Sequence, residues 1–171
     1  ETLSQVVQLC TSVEQYASAE KYLRRLMEDS PQAFSALVVM MARQGRTREA
    51  VQMCVEQYAL SPTELNAQNV AIVLMADPSS EEANKAADSV LTLAVNTFDK
   101  QTPLLNTIGA VRHLQGRFDA AEKIYRLALI IEPDDLLTLN NLATLLAENP
   151  AKLDEAMRLV DRGLELSPNS A

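Results

Sequence analysis

The chain has 171 residues, of which 47% are hydrophobic and 22% are charged, and its formal net charge is −8. That balance is typical of a folded domain with a core of its own and excludes an intrinsically disordered chain. The acidic excess disfavours nucleic acid and anionic membrane surfaces as partners, because both are bound through clustered Lys and Arg. The longest apolar runs, 36–42 and 70–76, are too short to span a bilayer, so no membrane insertion is expected.

The start of the chain and its two cysteines bear on the compartment. The chain begins with Glu1 rather than Met, so we expect a processed protein or an excised piece, and no signal peptide is visible. Because the absent signal says little about a parent protein, the compartment is unknown from the sequence and the cytoplasm is only the default expectation. Cys10 and Cys54 each lie among apolar residues at helical spacing, and we expect buried free thiols rather than a disulfide framework.

Amphipathic helical patterns follow one another in pairs along the chain. Residues 1–31 contain the first pair and residues 32–65 the second. Residues 66–101 contain the third pair, whose two helices meet at the turn DPSS. No long linker interrupts the series, so we expect a single domain over residues 1–171.

The fourth and fifth pairs, residues 102–135 and 136–169, are the clearest copies of one plan. In the fourth pair a first helix with an apolar stripe is followed by a turn at Gly116 and by a second helix that ends before Pro133. The places that define the plan in the fourth pair are Leu105, Ile108, Gly109, Gly116, Phe118, Ala121, Tyr125, Ala128 and Pro133. In the fifth pair the places of Leu105, Ile108, Gly109, Ala121, Tyr125, Ala128 and Pro133 are taken, in that order, by Leu139, Leu142, Ala143, Ala156, Val160, Gly163 and Pro168. Since Gly inside a helix costs about 1 kcal/mol relative to Ala, we expect close packing at Gly163.

This plan resembles the tetratricopeptide repeat, a helix-turn-helix unit of about 34 residues. The resemblance implies an all-α fold, a right-handed α-α superhelix (solenoid) of about five helix-turn-helix repeats, in which the first helix of each pair lines a concave groove. Arg112 departs from the pattern, because the family carries Tyr in the middle of the first helix.

Carried over residue by residue, the resemblance predicts a groove that binds a peptide or a helix. Its Asn amides can both donate to and accept from the backbone of an extended peptide, unless they are ordinary polar surface. Its valines can seat an amphipathic helix, unless a helix of the same chain covers them. The predicted groove residues are Val39, Asn69, Val70, Val73, Asn106, Thr107, Ala110, His113, Asn140, Asn141 and Thr144.

The sequence contains no recognisable catalytic set. His113 is the only histidine, and neither a nucleophile nor an orienting acid is identifiable beside it. We therefore expect a non-catalytic protein–protein interaction scaffold with no cofactor and no metal. The alternative is a structural segment of a longer solenoid, which packs on its own other domains or self-associates through uncapped ends. Exposure of Leu159, Leu164 and Leu166 would indicate such an end.

Overall fold

A computed structural model describes residues 16–27 and 30–167, and every regular element in that part of the chain is helical. The helices are α1 (Tyr16–Leu26), α2 (Pro31–Arg43), α3 (Thr47–Leu60), α4 (Glu64–Ala76), α5 (Glu81–Thr97), α6 (Thr102–Leu114), α7 (Phe118–Ile131), α8 (Leu136–Ala147) and α9 (Leu153–Leu166), with a 3₁₀ turn at Pro150–Lys152. The all-α prediction is confirmed. Among these helices none combines the length and the apolar character that a membrane span needs.

The helices pack in pairs that follow chain order. α2 pairs with α3, α4 with α5, α6 with α7, and α8 with α9, while α1 packs on α2. The first helices of successive pairs, α2, α4, α6 and α8, also contact one another in sequence, and α3 and α7 each pack on the first helix of the following pair. The molecule therefore has a layer of first helices backed by a layer of second helices, which is the arrangement of a solenoid.

Glycine makes two of the turns within pairs. Gly45 and Gly116 have φ values of 78° and 71°, a region that residues with a Cβ rarely adopt. Their amides donate to the carbonyls of Ala42 and His113 and close the ends of α2 and α6. The third pair has no such glycine, and its helices are joined at 77–80 instead.

In the fourth pair, Gly109 of α6 lies against Tyr125 of α7, so the two helices cross closely. A Cβ added to Gly109 would lie 2.5 Å from Cε1 of Tyr125, so α6 and α7 approach each other as closely as the expected small residue allows. Tyr125 itself is buried, as are Ala121 and Ala128. Phe118, the aromatic place at the beginning of α7, lies half-exposed, with its ring edge against His113 at a centroid distance of 5.9 Å.

Cys54 is a fully buried free thiol of α3, as expected. Burial raises its pKa to about 12, because the apolar surroundings disfavour the thiolate. A thiol that stays protonated is a poor nucleophile, so Cys54 is a packing residue. Cys10 lies outside the residues that the structure describes.

Candidate functional site

The predicted groove residues separate into a buried group and an accessible group. Asn69, Val70, Val73 and Asn106 are buried. The others keep part of their surface accessible; these are Val39, Thr107, Ala110, His113, Asn140, Asn141 and Thr144. Only the accessible group remains available to a partner in this structure.

The residues of α4 that face outward are not the expected ones, and the helix is turned by about one residue relative to the prediction. Val70 and Val73 are fully buried with Asn69, whereas Ile72 and Met75 reach the surface. A shift of one residue turns a helix by about 100°, which is enough to exchange its inner and outer sides. The last two turns of α4, residues 70–76, are apolar at every position, so this part of the sequence has no polar side from which the outward direction can be read.

Asn106 also leaves the groove, because its amide joins two repeats. Its Nδ2 donates to Oγ1 of Thr138 at 2.7 Å and to Oδ2 of Asp135 at 3.0 Å, which links α6 to the beginning of α8. Burial raises the pKa of Asp135, but the hydrogen bonds from Thr138 and Asn106 outweigh burial and hold that pKa below its ordinary value. The Asn106 side chain is therefore engaged inside the solenoid and is unavailable to a peptide.

An open cleft lies between α2 and α4 on the layer of first helices. Its walls include Val39, Arg43, Ile72, Met75 and Ala76, and its volume is about 570 Å³. The Met75 side chain is 43% exposed. Arg43 forms no salt bridge with any residue in the part of the chain that the structure describes. This feature, called the first-helix cleft below, combines apolar walls with an unpaired cation.

The same layer continues over α6 and α8 with polar side chains. Nε2 of His113 lies 2.6 Å from Oε1 of Glu148, so this pair bridges the two helices. The hydroxyl of Thr107 donates to Pro103 O and that of Thr144 to Asn140 O, both within their own helices. The amides of Asn140 and Asn141 are therefore the side-chain groups left to meet a partner's backbone on this part of the layer.

A larger cleft, of about 780 Å³, lies between α5 and the turn that follows α6, and several of its polar groups are paired with one another. Nε2 of Gln115 donates to Oδ1 of Asn84 at 2.7 Å. Asp88 pairs with Arg112 at 2.8 Å and with Arg117, and the hydrogen bond from Arg117 holds the pKa of Asp88 below its ordinary value. Arg112 is buried and so uses a salt bridge where the repeat pattern has an aromatic residue. This cleft is a joint between the third and fourth pairs.

The last pair leaves an apolar face uncovered. Only Ala156 of α9 is buried, and Leu159 is partly buried against α7 and α8. Of the three leucines whose exposure would indicate an uncapped end, Leu164 and Leu166 are exposed and Leu159 is not. The expectation of close packing at Gly163 is wrong, because a Cβ built there has no atom within 4 Å. In the described residues no further helix follows to pack on it.

Comparison with known sequences gives one short similarity. No protein-family model matches the chain. Protein O-mannosyl-transferase TMTC2 of Homo sapiens is 39% identical over 62 residues, which are 36% of this chain and 7% of that protein. The match thus spans a small fraction of the length of this curated relative.

Comparison with solved structures covers almost the whole chain. MamA residues 41 to the end, from Desulfovibrio magneticus RS-1, is similar with a TM-score of 0.66 and 16% identity over 98% of this chain and 94% of that one. TTC0263, a thermophilic TPR protein of Thermus thermophilus, is similar with a TM-score of 0.66 and 23% identity over 97% and 90% of the two chains. At these identities the likeness establishes a shared fold.

Proposed function

We propose that this chain, an all-α solenoid with the tetratricopeptide-repeat fold, is a non-catalytic scaffold that binds a peptide or helix of another protein along its first helices. In this fold the first helices line the concave surface of the superhelix. The first-helix cleft carries the proposal, because it is an apolar opening on that surface which two neighbouring repeats share. A partner that enters it contacts α2 and α4 at once.

The lining of the cleft indicates the chemistry of the partner. Met75 and Ile72 offer a flexible and a branched apolar wall, which suits an apolar anchor side chain. Arg43 at the same opening favours a carboxylate close to that anchor, since a charge-assisted hydrogen bond is stronger than a neutral one. Farther along the layer, the amides of Asn140 and Asn141 can bond the backbone of an extended segment without selecting its sequence.

The proposal can be tested by selecting peptides from a random phage-displayed library on the purified protein. We expect enriched peptides that combine a large apolar residue with a nearby Asp or Glu. Met75→Glu places a charge on the apolar wall and should weaken their binding at least about tenfold, whereas Arg43→Ala should remove the preference for the acidic residue.

The matched control is Leu60→Glu, which introduces the same charge on α3, where Leu60 is 82% exposed. That variant should bind the selected peptides as the wild type does. Selected peptides whose affinity is unchanged by Met75→Glu would place the binding surface elsewhere and contradict the proposal.

A further inference from the structure

The layer of second helices is open between α5 and α7. α3 packs on α4 and α7 packs on α8, but α5 makes only slight contact with α6 and packs instead on α3 and α4. A groove with a volume of about 410 Å³ remains between α5 and α7. It is called the second-helix groove below, and its apolar walls are Leu91 and Val95 of α5 and Ala120 and Ile124 of α7. Both walls lie in the interior of the repeat series, so the end of the described chain does not create this opening.

Two small residues keep the second-helix groove open. The corresponding space between α7 and α9 is crossed by a salt bridge of 2.8 Å between Arg126 and Glu155. α5 and α7 end 34 residues apart, so Thr92 takes the place of Arg126. α7 and α9 begin 35 residues apart, so Ala120 takes the place of Glu155. Neither Thr92 nor Ala120 can form a salt bridge, and the space that this pair crosses in the last joint therefore stays accessible.

The charges that line the second-helix groove favour an anion. Asp88 pairs with both Arg112 and Arg117, so two guanidinium groups share one carboxylate. Lys123 also lines the groove and forms no salt bridge within the residues that the structure describes. The lining thus carries three cations and one carboxylate, although the chain as a whole has a net charge of −8. An occupant that brings a carboxylate is attracted, and one that brings Lys or Arg is repelled.

The size and position of the second-helix groove favour a short segment over a further repeat. A helix about 10 Å across would fill 410 Å³ in about one turn, so the groove accommodates a few residues and not a helix pair. A further repeat of this chain would stack on the last pair and not between the third and the fourth. Val95 is half-buried and Ile124 is 8% exposed, so the floor of the groove suits one apolar side chain of such a segment.

We propose that the second-helix groove binds a short acidic segment of a partner protein. The segment places the carboxylate of an Asp or Glu near Arg117 and Lys123, where charge-assisted hydrogen bonds are stronger than neutral ones. A neighbouring apolar side chain lies against Val95 and Ile124. This site is on the layer of second helices and is separate from the first-helix cleft.

Three synthetic peptides test the proposal. They share one Leu and differ in having Glu, Gln or Lys on both sides of it. Their binding is measured by fluorescence anisotropy on the Met75→Glu variant, in which the first-helix cleft is disabled, so the two proposals can fail independently. At low salt the Glu peptide should bind at least about tenfold tighter than the Lys peptide, because only the former complements the lining. Added salt should reduce this ratio.

Two changes in the second-helix groove should alter the binding in different ways. Lys123→Glu leaves two cations and two carboxylates in the lining, so the affinities for the Glu and Lys peptides should become about equal. The double variant Thr92→Arg, Ala120→Glu introduces the residues that form the salt bridge of the last joint. Its longer side chains should occupy the groove and abolish binding of all three peptides.

A matched pair of variants on α5 keeps the result specific. Val95→Glu places a charge on the floor of the groove and should weaken binding of the Glu peptide at least about tenfold. Leu93→Glu places the same charge two residues away, where Leu93 is 53% exposed and lies outside the groove, and should leave binding unchanged. Circular dichroism should show equal helix content for all these variants.

The proposal is overturned if no peptide binds at millimolar concentration, which is the result expected if other residues of this chain fill the groove. It is also overturned if Lys123→Glu leaves the ratio of affinities as it was. Sedimentation of the wild type provides a third contrary outcome. A dimer that the double variant dissociates would show that a second copy occupies the second-helix groove.

Discussion

Asn106 connects two repeats through a single amide, and its environment shows how a polar residue on the first-helix layer can be structural. Its partners, Asp135 and Thr138, lie 29 and 32 residues farther along the chain. Sequence reasoning placed the amide on the right helix but could not place these partners against it. A cap of the form Asp-x-x-Thr, about one repeat length downstream of an Asn, is a signal that would have indicated the contact.

Replacing Asn106 with Ala should lower the free energy of unfolding by about 1–3 kcal/mol, because the buried hydroxyl of Thr138 and the half-buried carboxylate of Asp135 lose a partner. Asn140→Ala, one repeat length farther along the chain at an exposed place of α8, should change it by less than about 0.5 kcal/mol. Urea denaturation of both variants measures the difference. Equal effects would contradict the assignment of Asn106 to the solenoid interior.

Asp135 should also make the free energy of unfolding depend on pH in the acidic range. Since its pKa in the folded state lies below the ordinary value, its contribution is present above the unfolded pKa and is lost as pH falls through the folded one. We expect the free energy of unfolding to fall between about pH 5 and pH 3, and to fall less steeply in Asp135→Asn, which can still cap α8. Asp119→Asn, at an exposed site of α7, is the control and should keep the wild-type slope. A slope unchanged by Asp135→Asn would contradict this role.

The ends of helices and the turns were predictable from sequence where a proline or a glycine at that position determines them. α7 ends at Ile131, before Pro133 as expected, and the positive φ of Gly116 lies at the turn expected between α6 and α7. The outward side of α4 was not predictable, because a helix buried on nearly all sides has no amphipathic direction. Its orientation is set by α2, α3 and α6, which pack around it.

The two helical glycines of the last pairs should respond oppositely to Ala. Gly109→Ala should lower the free energy of unfolding by about 1–3 kcal/mol, since its Cβ would collide with the buried ring of Tyr125. Gly163→Ala should raise it by up to about 1 kcal/mol, because Ala favours the helix and nothing lies within 4 Å. Thermal unfolding of both variants measures the signs. Destabilisation by Gly163→Ala would show that this place is already closely packed.

At the scale of the whole molecule, the fold is determined by the repeat pattern rather than by any single residue. The resemblance of the last two pairs to the tetratricopeptide repeat was sufficient to predict an all-α solenoid, and the fold shared with TTC0263 confirms it. The binding surface was only partly predictable, because it depends on which side of each first helix remains uncovered after packing. Val39 was predicted on this surface, whereas Ile72 and Met75 emerged only from the packed structure.

The methionine methyl groups provide the most direct test of the central claim, that a partner binds across the first helices. Met75 lies in the first-helix cleft, Met157 on the open face of α9 and Met53 on α3, so ¹³C-methyl NMR reports the three surfaces together. Adding a peptide selected on the wild-type protein should shift the Met75 resonance and leave those of Met53 and Met157 in place. Shifts confined to Met53 or Met157, with Met75 unmoved, would contradict binding in the first-helix cleft.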